Sequence, residues 1–567
     1  MHELSSSTHT RTNSRFIHIE GSPRTYDRNK ILVVLLVSLM MSLLQVSSVN
    51  TALAAMQESL HATDSQLQWV LSGYTLGIGI TLVPAGRLGD IFGRSFVFAF
   101  GLAIFTVSSL ALGFADSPLT LNLLRFVQGV SSGIFSPQIT GLIVQYFNGR
   151  SRAKAFAYFG LVVSMSVAAG PVLSGLFIAF FGADLGWRIS FAFNAPLGVV
   201  GVILALTWLP FGTELRRLRK MWRFSKRKNT SDTQNEKKAE QVCNKGEVPS
   251  DSSALAREPQ NDRKGIDLDP IGMTVLGISV LAIMLPFIIH ASWWKWLVIL
   301  AGVALLAGWV WWEHRYKTRG KLPMVDLDLF RIRSFSYSTA ISALQFLGAP
   351  AMFVVLAIFL QDGLGVSALA SGLVTLPNAL ISAYAAMWAG KRSYDHGRGI
   401  QAFALALILF GVLGMVIVVW SVHLGASFWW FALPLLFTGF GGGAIGSANQ
   451  TQAMIDVPAN HGGTAGGVIQ TAQRMATAIG TALVTAVFFA TRGTPTTASW
   501  YFGIATAYVV IAMILIAALI LAFVFWRDGY HDRHGTKSKI ATARKPRSRS
   551  KVLRRKASSS RKKTTAK

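Results

Sequence analysis

The sequence predicts an all-α integral membrane protein with two six-helix bundles and an inserted helical hairpin, about fourteen transmembrane helices in all. The composition indicates a membrane location, because 51% of the 567 residues are hydrophobic, only 14% are charged and the mean hydropathy is +0.44. Runs of about twenty apolar residues recur from Ile31 to Trp526, and each is long enough to cross a bilayer core of about 30 Å. Basic residues are concentrated in alternate loops, as expected of helices that cross a membrane back and forth.

The first part of the chain is predicted to hold a tail and the first bundle. Residues 1–30 are a basic tail, which the positive-inside rule places in the cytoplasm. The apolar runs of the bundle 31–211 predict helices at 31–53, 68–87, 95–115, 119–144, 154–180 and 189–211. Residues 56–66 contain no Lys or Arg and form an outer loop, whereas Arg94 and Arg150 mark inner loops.

A polar segment and a short apolar pair separate the two bundles. Residues 212–269 are too polar to bury a core and are predicted to be a basic, disordered cytoplasmic linker. Apolar runs at 270–290 and 296–313 then predict the inserted hairpin, which spans 270–313. The basic residues of 314–334 place this segment in an inner loop.

The last part of the chain is predicted to hold the second bundle and a second tail. The bundle 335–526 is expected to contain helices at 335–360, 367–389, 400–421, 427–450, 464–490 and 500–526. Residues 527–567 form a basic, disordered tail with 16 Lys and Arg against two Asp, so we expect both termini in the cytoplasm.

The net charge of +28 lies mainly in the linker and the last tail. Such a tail binds nucleic acid or rests on anionic lipid. The absence of aromatic residues after Tyr530 favours anionic lipid, and no nucleic-acid partner is expected. The single cysteine, Cys243, cannot form an internal disulfide.

One inner loop carries an unusual combination of residues. Residues 86–94 read Gly-Arg-Leu-Gly-Asp-Ile-Phe-Gly-Arg, so that three glycines, an aspartate and two arginines lie between two long apolar runs. Glycines permit close approach of helix ends, and Asp90 can bind a helix N-terminus or Arg94. On chemistry alone, the loop is either a tight positive turn or a charged latch.

The same loop resembles a signature of the major facilitator superfamily, Gly-x-Leu-x-Asp-x-x-Gly-Arg between the second and third helices. Gly86, Leu88, Asp90, Gly93 and Arg94 match it position by position. The resemblance implies the major facilitator fold and a latch between the two halves of a transporter.

A second copy of this loop is present in the second bundle. Gly390, Asp395, Gly397 and Arg398 repeat the pattern with one residue fewer between aspartate and glycine, and each copy follows the second helix of its half. Weak internal similarity of this kind is typical of transporters with two related halves. Both loops are therefore candidate gates.

The fourth predicted helix contains polar residues on one face. Arg125, Gln128 and Ser132 are separated by steps of three and four residues, and an arginine in a membrane must face a cavity or a protein partner. Arg125 either holds helices together through backbone carbonyls or takes part in transport. The segment resembles the family motif Arg-x-x-Gln-Gly, which implies a role for this arginine in proton coupling.

The fifth helix contains Gly170, Pro171 and Gly175, which resemble the Gly-x-x-x-Gly-Pro-x-x-Gly-Gly motif of facilitator antiporters. Two of the expected glycines are serines, so the residues remain small. On physical grounds this is a close-packing helix loosened by proline. Gly186-Trp187-Arg188 and Asn194-Ala-Pro-Leu-Gly also resemble a signature of the fourteen-helix drug/proton antiporters, and the resemblance extends over about 31–526.

The first helix departs from that branch. Its members usually carry Leu-Asp-x-Thr-Ile-Val-Asn there, and Gln45 occupies the place of the aspartate. All 26 acidic residues lie in tails, loops or helix ends, including Asp90, Glu313 and Asp395, so the passage is predicted to be neutral to positive. Polar residues at mid-span are the candidates for substrate binding or coupling: Gln45, Arg125, Gln128, Asn378, Gln470 and Arg474.

These features predict a secondary active transporter of the plasma membrane that exports amphipathic small molecules or drugs by alternating access. We expect proton coupling, no cofactor, no metal, and function as a monomer. Uptake or uniport of a neutral or anionic solute is the alternative. A membrane-embedded transferase or a receptor is a distant alternative, because no His-Asp pairing occurs among the scattered acids and we expect no enzyme activity.

Overall fold

The computed structural model describes residues 15–18, 25–211, 269–288, 294–492 and 497–543. The predictions made for residues 1–14, for the linker 212–268 and for the end of the basic tail, 544–567, lie outside the described residues. Cys243 belongs to that linker.

The first half begins with a short antiparallel ribbon, in which β1 (Phe16–His18) pairs with β2 (Thr25–Asp27). Asp27 then caps the first helix, because its carboxylate accepts hydrogen bonds of 2.9 Å from the backbone N–H of Asn29 and the Nε of Arg15. The helices of this half are α1 (Arg28–Leu60), α2 (Asp64–Phe92), α3 (Arg94–Leu112), α4 (Pro118–Tyr146), α5 (Gly149–Phe181), α6 (Ala183–Ala192) and α7 (Asn194–Trp208).

The hairpin and the second half follow after the linker. The hairpin consists of α8 (Pro270–Ile288) and α9 (Lys295–Thr318). The helices of the second half are α10 (Arg333–Ile358), α11 (Ala368–His423), α12 (Ala432–Ala453), α13 (Gly462–Arg492) and α14 (Thr497–Ala543).

Twelve stretches of the described chain are helical, long and apolar enough to cross a membrane. One of them, Leu369–His423, has 55 residues and can cross twice, since a single crossing needs about 20 residues. The 29-residue α4 supplies a further crossing, although its polar residues lower its hydropathy. The described helices therefore agree with the fourteen crossings expected from the sequence.

The sixth predicted helix, 189–211, is two helices in the structure. α6 ends at Ala192 and α7 begins at Asn194. Pro196 explains the break, because it has no N–H to donate to the carbonyl of Ala192 and is tolerated in the first turn of a new helix. The predicted span is therefore in the right part of the chain, but it is not one continuous helix.

The two predicted gating loops are much shorter than their sequence patterns indicate. α2 and α3 are separated only by Gly93, whose φ of 106° is accessible to glycine at little cost. In the second half, residues 390–398 are helical, and α11 departs from helical geometry only at His396, with φ −127° and ψ 19°. The expectation of a loop at 390–398 is wrong, because the helical segments before and after His396 continue through these residues.

The two halves share a packing arrangement that the sequence repeat does not indicate. In the first half, the Nε2 of Gln138 donates to the carbonyl of Ala85 at 2.6 Å, and a Cβ on Gly89 would overlap the same glutamine. In the second half, the Nε2 of Gln452 donates to the carbonyl of Ser393 at 2.8 Å, and a Cβ on Gly397 would overlap it. Glycine four residues after the accepting carbonyl makes room for the glutamine in both halves.

Each half has its own aromatic core. Phe135 packs edge-on against Phe98 and Phe105 in the first half, and Phe359 packs edge-on against Phe431 and Tyr501 in the second. Large apolar side chains on the outward faces are exposed, as expected where lipid covers the surface; those of α3 are Phe96, Phe100, Val107 and Leu110.

The inserted hairpin packs against both halves. Leu276, Val280 and Met284 of α8 form one buried cluster with Leu76 and Val83 of α2. Partly buried side chains of α13 complete this cluster: Val468, Met475 and Ala478. The hairpin is inserted between the halves in sequence, and in space it contacts one helix of each.

Glycine is required where α2 crosses α4. A Cβ on Gly77 would lie 2.7 Å from the carbonyl oxygen of Phe126 and 2.8 Å from the nitrogen of Val130. These atoms belong to the backbone and cannot move aside without separating the helices. By contrast, nothing lies within 4 Å of a Cβ on Gly308 in α9.

We therefore expect Gly77→Ala to lower the stability of the protein by about 1–3 kcal/mol, the usual cost of overpacking. Gly308→Ala is the matched control and is expected to be neutral or slightly stabilising, because alanine favours the helix. Thermal unfolding of the two variants in detergent would measure the difference. Equal melting temperatures would contradict the close α2 to α4 crossing.

Candidate functional site

Asp90 joins the two halves on the side of the membrane that carries Arg87 and Arg94, which is predicted to be cytoplasmic and is called the inner side below. Its carboxylate accepts hydrogen bonds from the backbone N–H of Gly463 at 3.3 Å and of Thr464 at 3.0 Å. The hydroxyl of Thr464 donates to it at 2.7 Å. Asp90 of the first half therefore caps the N-terminus of α13 in the second half, where a negative charge is favoured by the helix dipole.

Arg94 holds this carboxylate in place. Its Nε and Nη2 donate to Asp90 at 2.9 and 2.5 Å, and both side chains are at most 4% exposed. The guanidinium also donates to the carbonyl of Gly141 at 2.7 Å within the first half, and to the carbonyl of Ala459 at 2.6 Å across the interface. We call Asp90, Arg94, Ala459, Gly463 and Thr464 the inner latch.

Glycine allows the helices of the latch to touch. A Cβ on Gly86 would lie 2.5 Å from the carbonyl oxygen of Gly463, and a Cβ on Gly463 would lie 2.7 Å from Asp90. One turn further into the membrane, a Cβ on Gly467 would lie 2.6 Å from the carbonyl oxygen of Leu82. Backbone contact between α2 and α13 places the carboxylate directly at the helix N-terminus.

A second contact between the halves joins α5 to α11. A Cβ on Gly390 would overlap Ala157, so this predicted gating residue acts as a close-packing site. The hydroxyls of Ser164 and Ser382 are hydrogen-bonded at 2.8 Å. At the surface, Asp395 pairs with Arg150 at 3.2 Å across the interface, but both side chains are substantially exposed, so the pair contributes little.

Arg398, the last predicted gating residue, lies elsewhere. Its guanidinium stacks on the ring of Phe525 at 4.4 Å, within the second half. The first copy of the loop thus forms a buried latch across the interface, and the second copy contributes a close contact and an exposed ion pair.

The predicted residue Gln470 lies where α13 faces the first half, deeper in the membrane than the latch. Its Oε1 accepts a hydrogen bond of 2.6 Å from Ser136 of α4. One turn deeper, Arg474 is half-buried and within electrostatic range of Tyr74. Tyr74 belongs to a hydroxyl cluster, in which the hydroxyl of Ser42 is 3.0 Å from that of Tyr74 and 2.7 Å from that of Ser132.

Arg474 forms no hydrogen bond or ion pair with any residue that the structure describes. Nor does any carboxylate lie at mid-span in the described chain. An unpaired guanidinium between the two halves is costly unless water or a bound molecule solvates it. We call Arg474, Gln470, Tyr74, Ser42, Ser132 and Ser136 the central cluster.

Arg125 and Gln128 lie within the first half, where Arg125 borders the central cluster through Tyr74. Arg125 is 1% exposed, donates to the carbonyl of Val70 at 3.0 Å and to Gln128 at 2.7 Å, and lies over the ring of Tyr74 at 4.3 Å. Gln128 donates in turn to Ser109 at 2.7 Å. These contacts match the interpretation of Arg125 as a clamp between helices. Its role in coupling stays a prediction.

The other predicted site residues also form contacts within one half. Gln45 is fully buried and accepts a hydrogen bond from the Nδ2 of Asn194. Asn378 donates to the carbonyl of Leu435 and the hydroxyl of Thr438, both at 2.9 Å, and so joins α11 to α12.

The glycine and proline motif of α5 packs on α1. A Cβ on Gly170 would overlap the hydroxyl of Ser47, which donates to the carbonyl of Ser166 at 3.0 Å. Gly175 is less crowded, with Thr51 at 4.0 Å from a Cβ, and Pro171 is exposed. The packing interpretation of this motif agrees with these contacts, and its tie to antiport stays a prediction.

Comparison with known proteins decides the family. A family model described as the Major Facilitator Superfamily matches residues 35–249 and 271–481, which together make up most of the chain. The chain belongs to the Major Facilitator Superfamily. It is therefore a transporter with many membrane crossings and not an enzyme, as the sequence predicts.

Relatives of this superfamily member include antibiotic transporters. The "Probable actinorhodin transporter" of Streptomyces coelicolor is 29% identical over 485 residues, which cover 84% of this chain and 75% of the relative. The "Tetracenomycin C resistance and export protein" of Streptomyces glaucescens is 26% identical over 460 residues, covering 80% and 74%. The solved proton:xylose symporter XylE, 13% identical, matches with a TM-score of 0.58 over 88% of this chain and 95% of its own, which shows the shared fold.

The buried latch gives a direct test of the inner interface. We expect Asp90→Asn to open it more often, because a hydrogen bond to a charged group contributes about 1.5–3 kcal/mol and Asp90 accepts such bonds from α13, whereas an exposed pair such as Asp395 with Arg150 contributes at most about 1 kcal/mol. The reporter is Thr140→Cys in a Cys243→Ser background, since Thr140 is fully buried behind the latch.

Maleimide labelling of this cysteine in inside-out vesicles would measure opening. The rate is expected to rise at least about tenfold with Asp90→Asn and less than about threefold with the control Asp395→Asn. Equal rates in the two variants would contradict the assignment of the latch to Asp90.

Proposed function

We propose that this transporter exports amphipathic small molecules of neutral or anionic character across the plasma membrane, by alternating access and coupled to protons. The observation that carries the substrate class is the unpaired guanidinium of Arg474 between the two halves. The relative named for tetracenomycin C resistance and export supports the direction of transport.

Alternating access is supported by the nature of the polar contacts that hold the inner side closed, which are made by side chains and helix ends. The latch consists of one carboxylate, one guanidinium and the end of one helix, so it can open without unfolding either aromatic core. The halves meet through small residues such as Gly86 and Gly467. Because these residues have no side chains that interlock, the two helices can separate and pack together again. Rocking of one half against the other is the motion that this interface permits.

Charge supports the substrate class. Carriers of organic cations need a buried acid to neutralise their load, and the described residues at mid-span include none. The hydroxyl and amide groups of the central cluster offer hydrogen bonds to neutral parts of a molecule, and Arg474 offers a charge-assisted hydrogen bond to an acidic group.

Uptake or uniport of a neutral or anionic solute is the alternative that the same cluster would serve. We keep two further expectations as proposals: the basic segments rest on anionic lipid of the inner leaflet, and the chain functions as a monomer.

Transport in everted vesicles separates these possibilities. With actinorhodin or tetracenomycin C as probe, an acidic vesicle interior should drive accumulation, and collapse of the pH gradient should abolish it. Accumulation only in right-side-out vesicles would establish uptake instead. Transport that persists after collapse would exclude proton coupling.

Arg474→Gln tests the substrate class. We expect the half-saturating concentration of an acidic probe to rise about tenfold or more, because a hydrogen bond to a charged group contributes about 1.5–3 kcal/mol. The methyl ester of the same probe should be almost unaffected. Arg492→Gln is the matched control on α13, because Arg492 lies over the ring of Trp500 at 4.1 Å, away from the central cluster. Equal losses for the acid and its ester would contradict a charge contact with Arg474.

A further inference from the structure

Two carboxylic acids are buried where the inserted hairpin meets the inner side. Asp269 immediately precedes α8 and is 1% exposed, and Glu313 lies near the inner end of α9 and is fully buried. Neither forms an ion pair among the described residues. Both lie outside the latch and the central cluster, so transport as described above leaves them without a role.

Asp269 is held by two donors. The backbone N–H of Gly272 donates to its Oδ1 at 3.0 Å, as in a helix cap. The indole Nε1 of Trp312 donates to Oδ1 and Oδ2 at 3.1 and 3.3 Å, from the neighbouring helix α9. This carboxyl group therefore joins the inner ends of the hairpin.

Glu313 is only partly satisfied. Its Oε2 accepts a hydrogen bond of 3.0 Å from the backbone N–H of Met324. Its Oε1 is buried and has no hydrogen-bond partner in the described chain. A buried acceptor without a donor is costly, and it needs either a cation or a proton of its own.

The unpartnered oxygen lies beside Asp269. A Cβ on Gly272 would lie 2.3 Å from the Oδ2 of Asp269 and 3.1 Å from the Oε1 of Glu313, so the two oxygens are separated by no more than the sum of these distances. Two carboxyl groups buried this close together cannot both be ionised at low cost, so binding of one proton by the pair is favoured.

The charged groups around the pair connect it to the latch. Arg87 of α2 lies within electrostatic range of Glu313 and also of His461, which precedes α13. His461 in turn faces Asp90 and Arg94 of the latch and Asp326 of the inner loop. Burial alone would raise the pKa of Asp326, but hydrogen bonds from Lys317 and the N–H of Asp328 lower it below its ordinary value, so Asp326 remains charged near neutral pH.

We propose that Asp269 and Glu313 share one proton and form the proton-binding site of this transporter, linked through Arg87 to the inner latch. The proposal rests on the proton coupling proposed above. The proton lies on Oε1 of Glu313 and is donated to Oδ2 of Asp269. Its release to water on the inner side leaves two negative charges beside Arg87, which draws the inner end of α2 toward the hairpin and away from α13.

The direction of the coupling follows from these charges. With the proton bound, the latch is undisturbed and the inner side stays closed. With the proton released, the latch loosens and the passage opens to the inner side. The hairpin thus supplies the carboxylic acid that the central cluster lacks.

Infrared spectroscopy of the purified full-length protein tests the shared proton without a substrate. The wild type should show the carbonyl band of a protonated carboxylic acid at neutral pH, and Glu313→Gln and Asp269→Asn should each remove it. Asp328→Asn is the matched control, because Asp328 is an exposed acid of the same inner loop that pairs with Lys317 and Arg331. A wild-type spectrum without the band, or a band that survives both variants, would overturn the proposal.

Labelling of Thr140→Cys tests the link to the latch. Because the thiolate is the reacting species, each rate is divided by that of a free cysteine peptide at the same pH. In the wild type and in Asp328→Asn, we expect this normalised rate to rise roughly tenfold between about pH 5 and about pH 9, since one unit of pKa difference between two states corresponds to a tenfold shift in their equilibrium. In Glu313→Gln and Asp269→Asn the normalised rate should stay low and vary less than about twofold. A variant rate that follows the wild-type profile would overturn the link.

Transport measured alongside separates this proposal from the proposed function. Suppose that wild-type transport does not depend on the pH gradient, while the infrared band and the pH-dependent labelling are both observed. That result would exclude proton coupling but would support the shared proton site. Gradient-driven transport that survives both variants would place the coupling site elsewhere and overturn the proposal. If one variant fails to fold, the other carries the same test, because removal of either carboxyl group abolishes the shared proton.

Discussion

The closed inner side depends on one buried carboxylate, that of Asp90, at the N-terminus of a helix in the opposite half. Three donors of α13 and the guanidinium of Arg94 satisfy it, so the charge is solvated by protein on both sides of the interface. Parting the halves strips the carboxylate of its three α13 donors at once. Closure is therefore cooperative, because one side chain makes all of these contacts together. The glycines around Asp90 allow the two backbones to approach closely enough for the contacts to form.

Much of this architecture follows from the sequence because a membrane imposes strict rules. Apolar runs must be helices of a certain length, and basic residues mark one side, which is why the bundles, the hairpin and the fourteen crossings can be predicted. The boundaries fail where tertiary contacts decide them. Residues 390–398 have the composition of a loop, yet packing against α5 and α12 keeps them helical up to His396. α1 likewise extends to Leu60, well past the predicted end of its apolar run.

The site was less predictable, and the reason is again physical. A polar residue in an apolar run needs a polar partner, but the sequence does not indicate whether that partner is a substrate or the neighbouring helix. Gln45, Arg125 and Asn378 find partners within one half, and only Gln470 and Arg474 lie between the halves. The prediction for Glu313 failed in the opposite sense. An acid at a helix end is expected to contact water, but the inner loop around Met324 covers Glu313.

The hairpin has a mechanical consequence, since it rests on α2 of one half and α13 of the other. Any relative rotation of the halves must slide at least one of these surfaces past α8. Met284 and Met475 lie at that contact, and the flexible thioether of methionine can follow a moving surface without losing its packing. In the proposed rocking motion, the extra pair of helices would therefore stay packed against both bundles while they rotate.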